Sequence, residues 1–300
     1  MKILITGSSG FVGQNLVNDF IHKYSVYTKS YRYNKSQKIE FNQDVIIHLS
    51  GKAHDLNGNS ALSEYLDANF KLTKQLYDGF INCETSQTFI FISSVKAVSD
   101  SHVGALTEKS IPNPKTDYGK SKLAAENYIL GKKLPKNKRY FILRPCMIHG
   151  PKNKGNLNLM YLQIKKKPLW PLGSYENKRS FLSIENFIFV INQIINDPEI
   201  KSGIYNIADD DPISTNNLVS LISESLSFNP TILKIPKPII RILSIFGDYT
   251  KLTINSVRLK KLTEDYVVCN KKITEAMKKK LPINTEEGLL KTFKSFNNKF

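Results

Sequence analysis

Along the first two thirds of the chain, short apolar runs alternate with longer segments whose apolar residues recur every third or fourth position. The runs Lys2–Thr6, Val26–Tyr31, Val45–Ser50, Thr88–Ser93, Tyr140–Arg144 and Ile204–Ile207 predict strands. Between them Gly13–His22, Ala61–Phe80, Tyr118–Leu130 and Ser183–Ile195 carry helical spacing, and Ser183 is placed to cap the last of these. This alternation builds a parallel sheet with helices on both faces, and the crossovers are long enough for βαβ units. After Gly150 the texture changes. Pro151 to Arg179 reads as loop-rich, one helix and one strand follow, and a Lys-rich stretch runs from Asp209 onward. The expected division is a sheet unit of residues 1–150 plus 180–208, with a smaller C-terminal lobe of residues 151–179 plus 209–300.

Composition narrows the class. Hydrophobic residues at 41% of 300 supply a core and exclude a disordered chain. Cys83, Cys146 and Cys269 are odd in number and far apart, which suggests neither a disulfide framework nor a zinc site and fits a reducing cytoplasm. Met1 leads into an apolar strand rather than a signal-peptide core, so a cytoplasmic enzyme is expected. The apolar stretch Ile232 to Phe246 is interrupted by Lys234, Pro236, Lys237, Pro238 and Arg241, short of the roughly 20 residues a transmembrane helix needs. A packed helix of the small lobe is its expected role, and peripheral membrane contact stays open. Net charge is +17, yet six of the 43 basic residues are Arg. A Lys-rich, Arg-poor surface suits solvation better than base reading, so no nucleic-acid partner is expected, and Lys165–Lys167 and Lys278–Lys280 should face water.

The first candidate chemistry lies at the start. Ile3-Leu4-Ile5-Thr6-Gly7-Ser8-Ser9-Gly10-Phe11-Val12-Gly13 sets three glycines at three-residue spacing after a strand and at the mouth of a helix. A pyrophosphate needs close backbone approach and the positive end of a helix, and glycines permit both. The fold class expected is therefore α/β, a Rossmann-type doubly wound parallel sheet that binds a dinucleotide, with the smaller lobe taking the substrate. An acidic residue about 20 positions on would suit the ribose of NAD. No Asp or Glu occurs between Asp19 and Glu40, while Lys29 and Arg32 follow the second strand, so the reading leans to NADP over NAD with Arg32 as the phosphate contact.

Tyr118 and Lys122 stand four apart at the start of a helix, on one face. A free phenol titrates near pH ~10 and exchanges protons poorly at neutral pH, whereas a neighbouring ammonium brings that exchange within reach. Taken alone, the pair would also suit a solvated Lys stem packed on a Tyr ring. The order of parts decides: a glycine turn, a strand ending in Ser93-Ser94, then Tyr118 and Lys122.

With these parts the chain resembles the extended short-chain dehydrogenase/reductases of the nucleotide-sugar epimerase and reductase family over nearly its whole length. Further matching stretches are Asp44 to Gly51, Asn69 with Thr73, Leu143-Arg144-Pro145 with Gly150-Pro151, and Arg179-Ser180-Phe181. The resemblance implies that Ser94 binds the reacting sugar oxygen, Tyr118 is the acid/base, and Lys122 lowers the Tyr118 pKa and holds the nicotinamide ribose. It implies cofactor contacts from Gly7, Ser9, Gly10, Phe11, Val12, Gly13, Leu49, Ser50, Gly51, Asn69, Ser93 and Pro145. For the substrate it points to Lys96, Asn156, Arg179 and Arg258, the Arg side chains suiting a diphosphate through their planar fork. A homodimer through the helices at 61–80 and 118–130 is likewise implied.

Family dehydratases carry an Asp-Glu pair after the catalytic hydroxyl; Val95-Lys96 stands here, which removes the extra acid and base that loss of water requires. Two reactions remain open: reduction of a 4-keto sugar and 4-epimerisation through a transient ketone. Ser93-Ser94-Val95-Lys96 and His48 to His54 look most like reductases of UDP-4-keto-6-deoxy-N-acetylhexosamines in surface-glycan synthesis, and the NADP leaning agrees. A rival of another class keeps the fold for binding alone through the basic surface. Departures from the family pattern are His149 for Tyr, Ser180 for Asp, Cys269-Asn270 for Asp, and a shortened Ile39 to Asn42 stretch in mid-sheet.

Overall fold

Residues 1–52, 61–153, 155–250 and 255–297 are described by the structure, a computed structural model. The chain enters on β1 (Lys2–Thr6) and continues through β2 (Ser25–Lys29), β3 (Val45–His48), β4 (Thr88–Ile92) and the two-residue β5 (Ala105–Leu106). It then forms β6 (Arg139–Pro145), β7 (Met147–His149), β8 (Leu169–Trp170), β9 (Phe181–Ser183), β10 (Gly203–Ile207), β11 (Thr231–Ile232) and β12 (Val267–Val268). Six of these strands pair in parallel in the order β10-β6-β4-β3-β1-β2. The expected runs at Val45, Thr88, Tyr140 and Ile204 all form sheet strands. Their apolar continuity follows from burial on both faces, which every residue of β3 and β4 experiences. β2 is the mostly exposed edge, because the short stretch at 39–42 adds no further strand; Ile39 and Phe41 are buried instead as coil.

Two layers of helix make the sheet doubly wound. α1 (Phe11–Phe20) covers one face, burying Leu16 and Phe20 against Ile3, Ile5 and Ile90. The opposite face receives α2 (Leu62–Tyr65), which runs through a π-helical turn, Leu66–Lys71, into α3 (Leu72–Asn82), and then α4 (Asp117–Leu130). There Leu76, Phe80, Ala125 and Ile129 meet Leu4, Ile46 and Phe89. The segment expected to be loop-rich contains α5 (Asn156–Lys166). Its apolar stripe is thin, Leu157, Tyr161 and Ile164 among polar neighbours, so pattern alone did not announce it. α6 (Ile184–Asn196), capped by the Ser183 hydroxyl as expected, joins α1 on the first face.

After β10 come α7 (Thr215–Ser225), α8 (Lys237–Tyr249), α9 (Ser256–Thr263), α10 (Lys271–Met277) and α11 (Thr285–Asn297). A further core gathers Tyr161, Trp170, Phe181, Ile222, Phe293 and Phe296 from well-separated stretches. Tyr266, Val268, Ile273 and Met277 pack instead on the sheet core, where β12 pairs with β5. Lys165–Lys167 and Lys278–Lys280 are exposed. Among the described residues no helix is long and apolar enough to cross a membrane.

Candidate active site

The strand order reverses between β1 and β3, and in open α/β sheets that switch point opens a crevice at the carboxyl ends of the strands. The glycine turn fills one wall. Gly7 has φ +70°, and a Cβ there would lie 2.7 Å from the Ser50 amide nitrogen, so glycine lets the turn pack on Leu49-Ser50. Gly13 is equally constrained: its Cβ would meet the Gly7 carbonyl oxygen at 2.3 Å. Gly10 differs, since its Cβ would find the protein no nearer than 3.5 Å, ordinary contact distance. Packing within the chain therefore does not demand glycine at 10, whereas a close anionic ligand would. α1 starts at Gly10 with no side-chain cap and no acidic residue in its first turn, leaving the positive helix end for such a ligand. Ser9 and Gly10 are exposed, Phe11 and Val12 half-buried. This cradle fits a pyrophosphate. Arg32 is exposed three residues beyond β2.

Behind the turn, one buried histidine ties three elements together. Thr73 donates its hydroxyl to the Asn69 carbonyl at 2.6 Å, so at 2.9 Å it accepts from His48 Nε2. His48 Nδ1 then accepts the Thr6 hydroxyl at 2.8 Å, and Thr6 Oγ1 accepts the Ser50 amide at 3.2 Å. Burial, with the nearby Lys122 charge adding to it, lowers the His48 pKa to about 3 and keeps the ring neutral in this role. Asn69 sits in the π-helical turn, a distortion that often accompanies functional sites. Its amide clamps Lys52 from both sides, accepting from the backbone N–H at 2.8 Å and donating to the carbonyl at 3.1 Å, and donates to Ser121 Oγ at 3.0 Å. Asn69 thus shapes the Gly51-Lys52 loop. Ala53 and His54 lie outside the described residues.

Ser94, Tyr118 and Lys122 converge at the end of β4. Ser94 caps a 3₁₀ turn, Val95–Ala97, accepting the Lys96 amide at 3.2 Å, and its hydroxyl stands close enough to the Tyr118 phenol to hold down that group's pKa. α4 can approach this closely because residue 119 is glycine: a Cβ there would lie 2.4 Å from the Lys96 carbonyl oxygen. Sequence reasoning passed over Gly119, though it sits between the two residues it singled out. Thr116 caps α4 by accepting the Gly119 amide, and Asp100 in turn accepts from the Lys115 and Thr116 amides. Lys122 is buried; its Nζ donates to the Ile92 carbonyl at 2.9 Å and lies 3.4 Å from where a Gly51 Cβ would be. Lys122 therefore stands against the loop on which the glycine turn packs.

Burial raises the Tyr118 phenol, the Ser94 hydroxyl opposes that rise, and Tyr65, whose ring centroid is 6.3 Å away, adds to it. Burial also lowers Lys122 to about 8, with Glu126 opposing. The ammonium is turned to the Ile92 carbonyl and stands 4.9 Å over the Phe91 ring. Ser93 likewise faces inward, donating to buried Glu126, which is paired with Arg144. Pro145 is buried at the end of β6.

On the substrate side the structure joins Lys96 and Arg179. Lys96 Nζ donates to the Asp100 carbonyl at 2.8 Å and lies 4.6 Å from the centre of the Tyr266 ring, while the Arg179 backbone bridges to Tyr266. Burial lowers Lys96, and the charges of Arg179 and Lys261 lower it further, against Asp100. Arg179 is half-buried and donates to the Lys261 carbonyl. Lys261 and Tyr266 were not singled out from sequence. Arg258 is exposed one turn before Lys261 on α9, and Asn156 is exposed at the first position of α5. The departures take structural duties. His149 is buried, with Nδ1 2.9 Å from Thr292 Oγ1 in α11 and Nε2 3.7 Å from Asp209; Ser180 Oγ accepts from the Val268 amide at 3.0 Å.

Residues 3–208 match the model of a family described as "NAD dependent epimerase/dehydratase family". A curated UDP-glucose 4-epimerase of Vibrio cholerae is 31% identical, over 98% of this chain and 95% of that protein. A GDP-6-deoxy-D-mannose reductase of Pseudomonas aeruginosa is 23% identical over 74% of this chain and 79% of its own length. Among solved structures, "MoeE5 in complex with UDP-glucose and NAD" superposes with a TM-score of 0.76 at 16% identity, covering 99% of both chains, a likeness of fold.

Proposed function

The chain belongs to the NAD dependent epimerase/dehydratase family, and from that premise we propose that it is an NAD(P)-dependent oxidoreductase reducing the 4-keto group of a UDP-linked sugar. The observation that carries the reading is the Ser94 hydroxyl beside the Tyr118 phenol, with Lys122 behind Gly51 on the loop against which the glycine turn packs. Gly7, Ser9, Gly10, Phe11, Val12 and Gly13 hold the pyrophosphate. Leu49, Ser50 and Gly51 line the channel that Asn69 shapes, Ser93 and Pro145 support it, and Lys122 reaches the nicotinamide ribose. The bound dinucleotide supplies the hydride. Ser94 positions the substrate oxygen, and Tyr118 delivers the proton that turns a ketone oxygen into a hydroxyl. A phenol raised by burial stays protonated at neutral pH, which suits donation to a ketone better than abstraction from an alcohol. Val95 is buried and Lys96 is tied to Asp100, so the positions after Ser94 offer no second carboxylate and disfavour dehydration.

Lys96, Arg179 and Arg258 bind the diphosphate, and Asn156 grips the sugar nucleotide. Arg32 favours NADP over NAD through the extra phosphate. The protein acts in the cytoplasm as a homodimer through the helices at 61–80 and 118–130. The Vibrio cholerae relative favours a second reading, NAD-dependent 4-epimerisation of a UDP-sugar with the same proton relay run in both directions. Denaturing freshly purified protein and identifying any released nucleotide separates the two. NADPH consumption that requires a UDP-4-keto sugar supports the reductase; tightly held NAD with interconversion of UDP-hexose epimers and no net cofactor use supports the epimerase. Absence of both activities, with nucleotide neither retained nor consumed, would overturn the enzymatic reading.

A further inference from the structure

Helix α8 is turned inside out. Its inward stripe consists of Ile240, Ser244 and Gly247, whereas Ile239, Ile242, Leu243, Ile245, Phe246 and Tyr249 are all exposed, Phe246 to 64% and Tyr249 to 87%. At the helical repeat those six side chains cover an arc of roughly 160°. A surface helix ordinarily sends its large apolar residues inward, and contiguous apolar exposure on this scale marks a contact surface. Arg241 flanks the arc, Lys237 is exposed at the start of the helix with its ammonium 5.5 Å from the centre of the Tyr175 ring, and Lys234 is exposed in the segment between β11 and the helix. The acid on the same flank, Asp248, is engaged by the Ser256 amide at 2.9 Å and hydroxyl at 2.6 Å.

We propose that α8 is an interfacial anchor that lies in the plane of an anionic membrane, with its six apolar side chains at the acyl boundary and Lys234, Lys237 and Arg241 among the headgroup phosphates. Charge selects this occupant. A chain of net charge +17 is drawn to an anionic surface, and basic residues beside an apolar helical face each add attraction at headgroup level. A second copy docked on the same face would set its own three cations against these, and both copies carry the same excess of charge. The helix has 13 residues, too few to span a bilayer, so it lies on the surface. This inference is independent of the reaction proposed above.

Flotation of the full chain with vesicles tests it, using phosphatidylcholine alone and phosphatidylcholine mixed with phosphatidylglycerol. The protein should float with the mixed vesicles and lose most of that binding in high salt. Ile242→Glu/Phe246→Glu should stay at the bottom while binding dinucleotide as the wild type does. Should that variant fold poorly, Lys234→Glu/Lys237→Glu/Arg241→Glu changes exposed charges alone and should lose at least about tenfold in vesicle partition. The proposal is overturned if the wild type does not float, if folded variants float equally, or if light scattering shows a dimer that Phe246→Glu dissociates, which would assign the face to a second copy.

Discussion

The proposed proton-handling end of the site and its proposed substrate-binding end are built differently. Around Ser94, Tyr118 and Lys122 the side chains are half-buried or, for Lys122, buried, and are held by elements close in sequence: β4, the turn after it, and the first two turns of α4. Around Lys96, Arg179 and Arg258 the cations are partly exposed and come from a 3₁₀ turn, an irregular segment and α9; Tyr266 links the first two, through its ring to Lys96 and a backbone bridge to Arg179. Rigid placement suits a group that must meet a reacting atom, while a looser cluster of cations suffices to hold a diphosphate. The two ends should therefore fail differently: damage at the first should appear in turnover, and damage at the second in substrate affinity.

The largest effect is expected for Lys122→Met, with turnover down about a thousandfold. Its thermal stability sharpens the point. Lys122 titrates near 8 when folded against 10.5 ordinarily, so its buried charge opposes folding at neutral pH, and that opposition fades as pH rises from 8 through 10.5. The variant should melt no lower than the wild type at neutral pH, and its relative advantage should shrink under alkaline conditions; a lower melting point at neutral pH would contradict the assignment. Gly119→Ala comes next. A Cβ pressed on the Lys96 carbonyl must move α4 away from Ser94, and a displacement of about 1 Å costs on the order of a hundredfold in turnover. Dinucleotide titrations should stay near wild type, and unchanged turnover would mean that the close approach is irrelevant.

What could be read from sequence follows the same division. The strands at Lys2, Val45, Thr88, Tyr140 and Ile204 and the Ser183-capped helix were legible because burial on two faces writes unbroken apolar runs and helix caps are local. The glycine turn was legible because Gly7 and Gly13 answer close contacts across to Ser50 or within a few residues, and Gly10 keeps their three-residue spacing. α5, α7 and α11 were not, since they bury thin stripes against partners such as Phe181 and Trp170 that only the folded chain brings near. Strands of two or three residues, β5, β7, β8, β9, β11 and β12, are too short to show a period. The Tyr118–Lys122 pair was visible as spacing, but the bond from the Lys122 ammonium to the Ile92 carbonyl depends on where β4 ends.

At the substrate end, Arg179→Ala should raise KM for the nucleotide sugar about tenfold, the value of roughly one charged hydrogen bond, with kcat and dinucleotide affinity little changed. An unchanged KM in steady-state assays would remove Arg179 from the diphosphate site. The smallest effect belongs to exposed Arg32. Arg32→Asp should move the NADPH to NADH preference by about fivefold, as a solvent-screened charge allows, and no shift would detach Arg32 from the cofactor.

The most direct test is a rapid-mixing experiment on Tyr118→Phe beside the wild type, following the absorbance of the reduced nicotinamide in a single turnover. Both proteins should bind dinucleotide alike, and the wild type should exchange hydride with a UDP-sugar or its 4-keto form at least about a hundredfold faster than the variant. Equal rates in the two proteins would contradict Tyr118 as the proton donor.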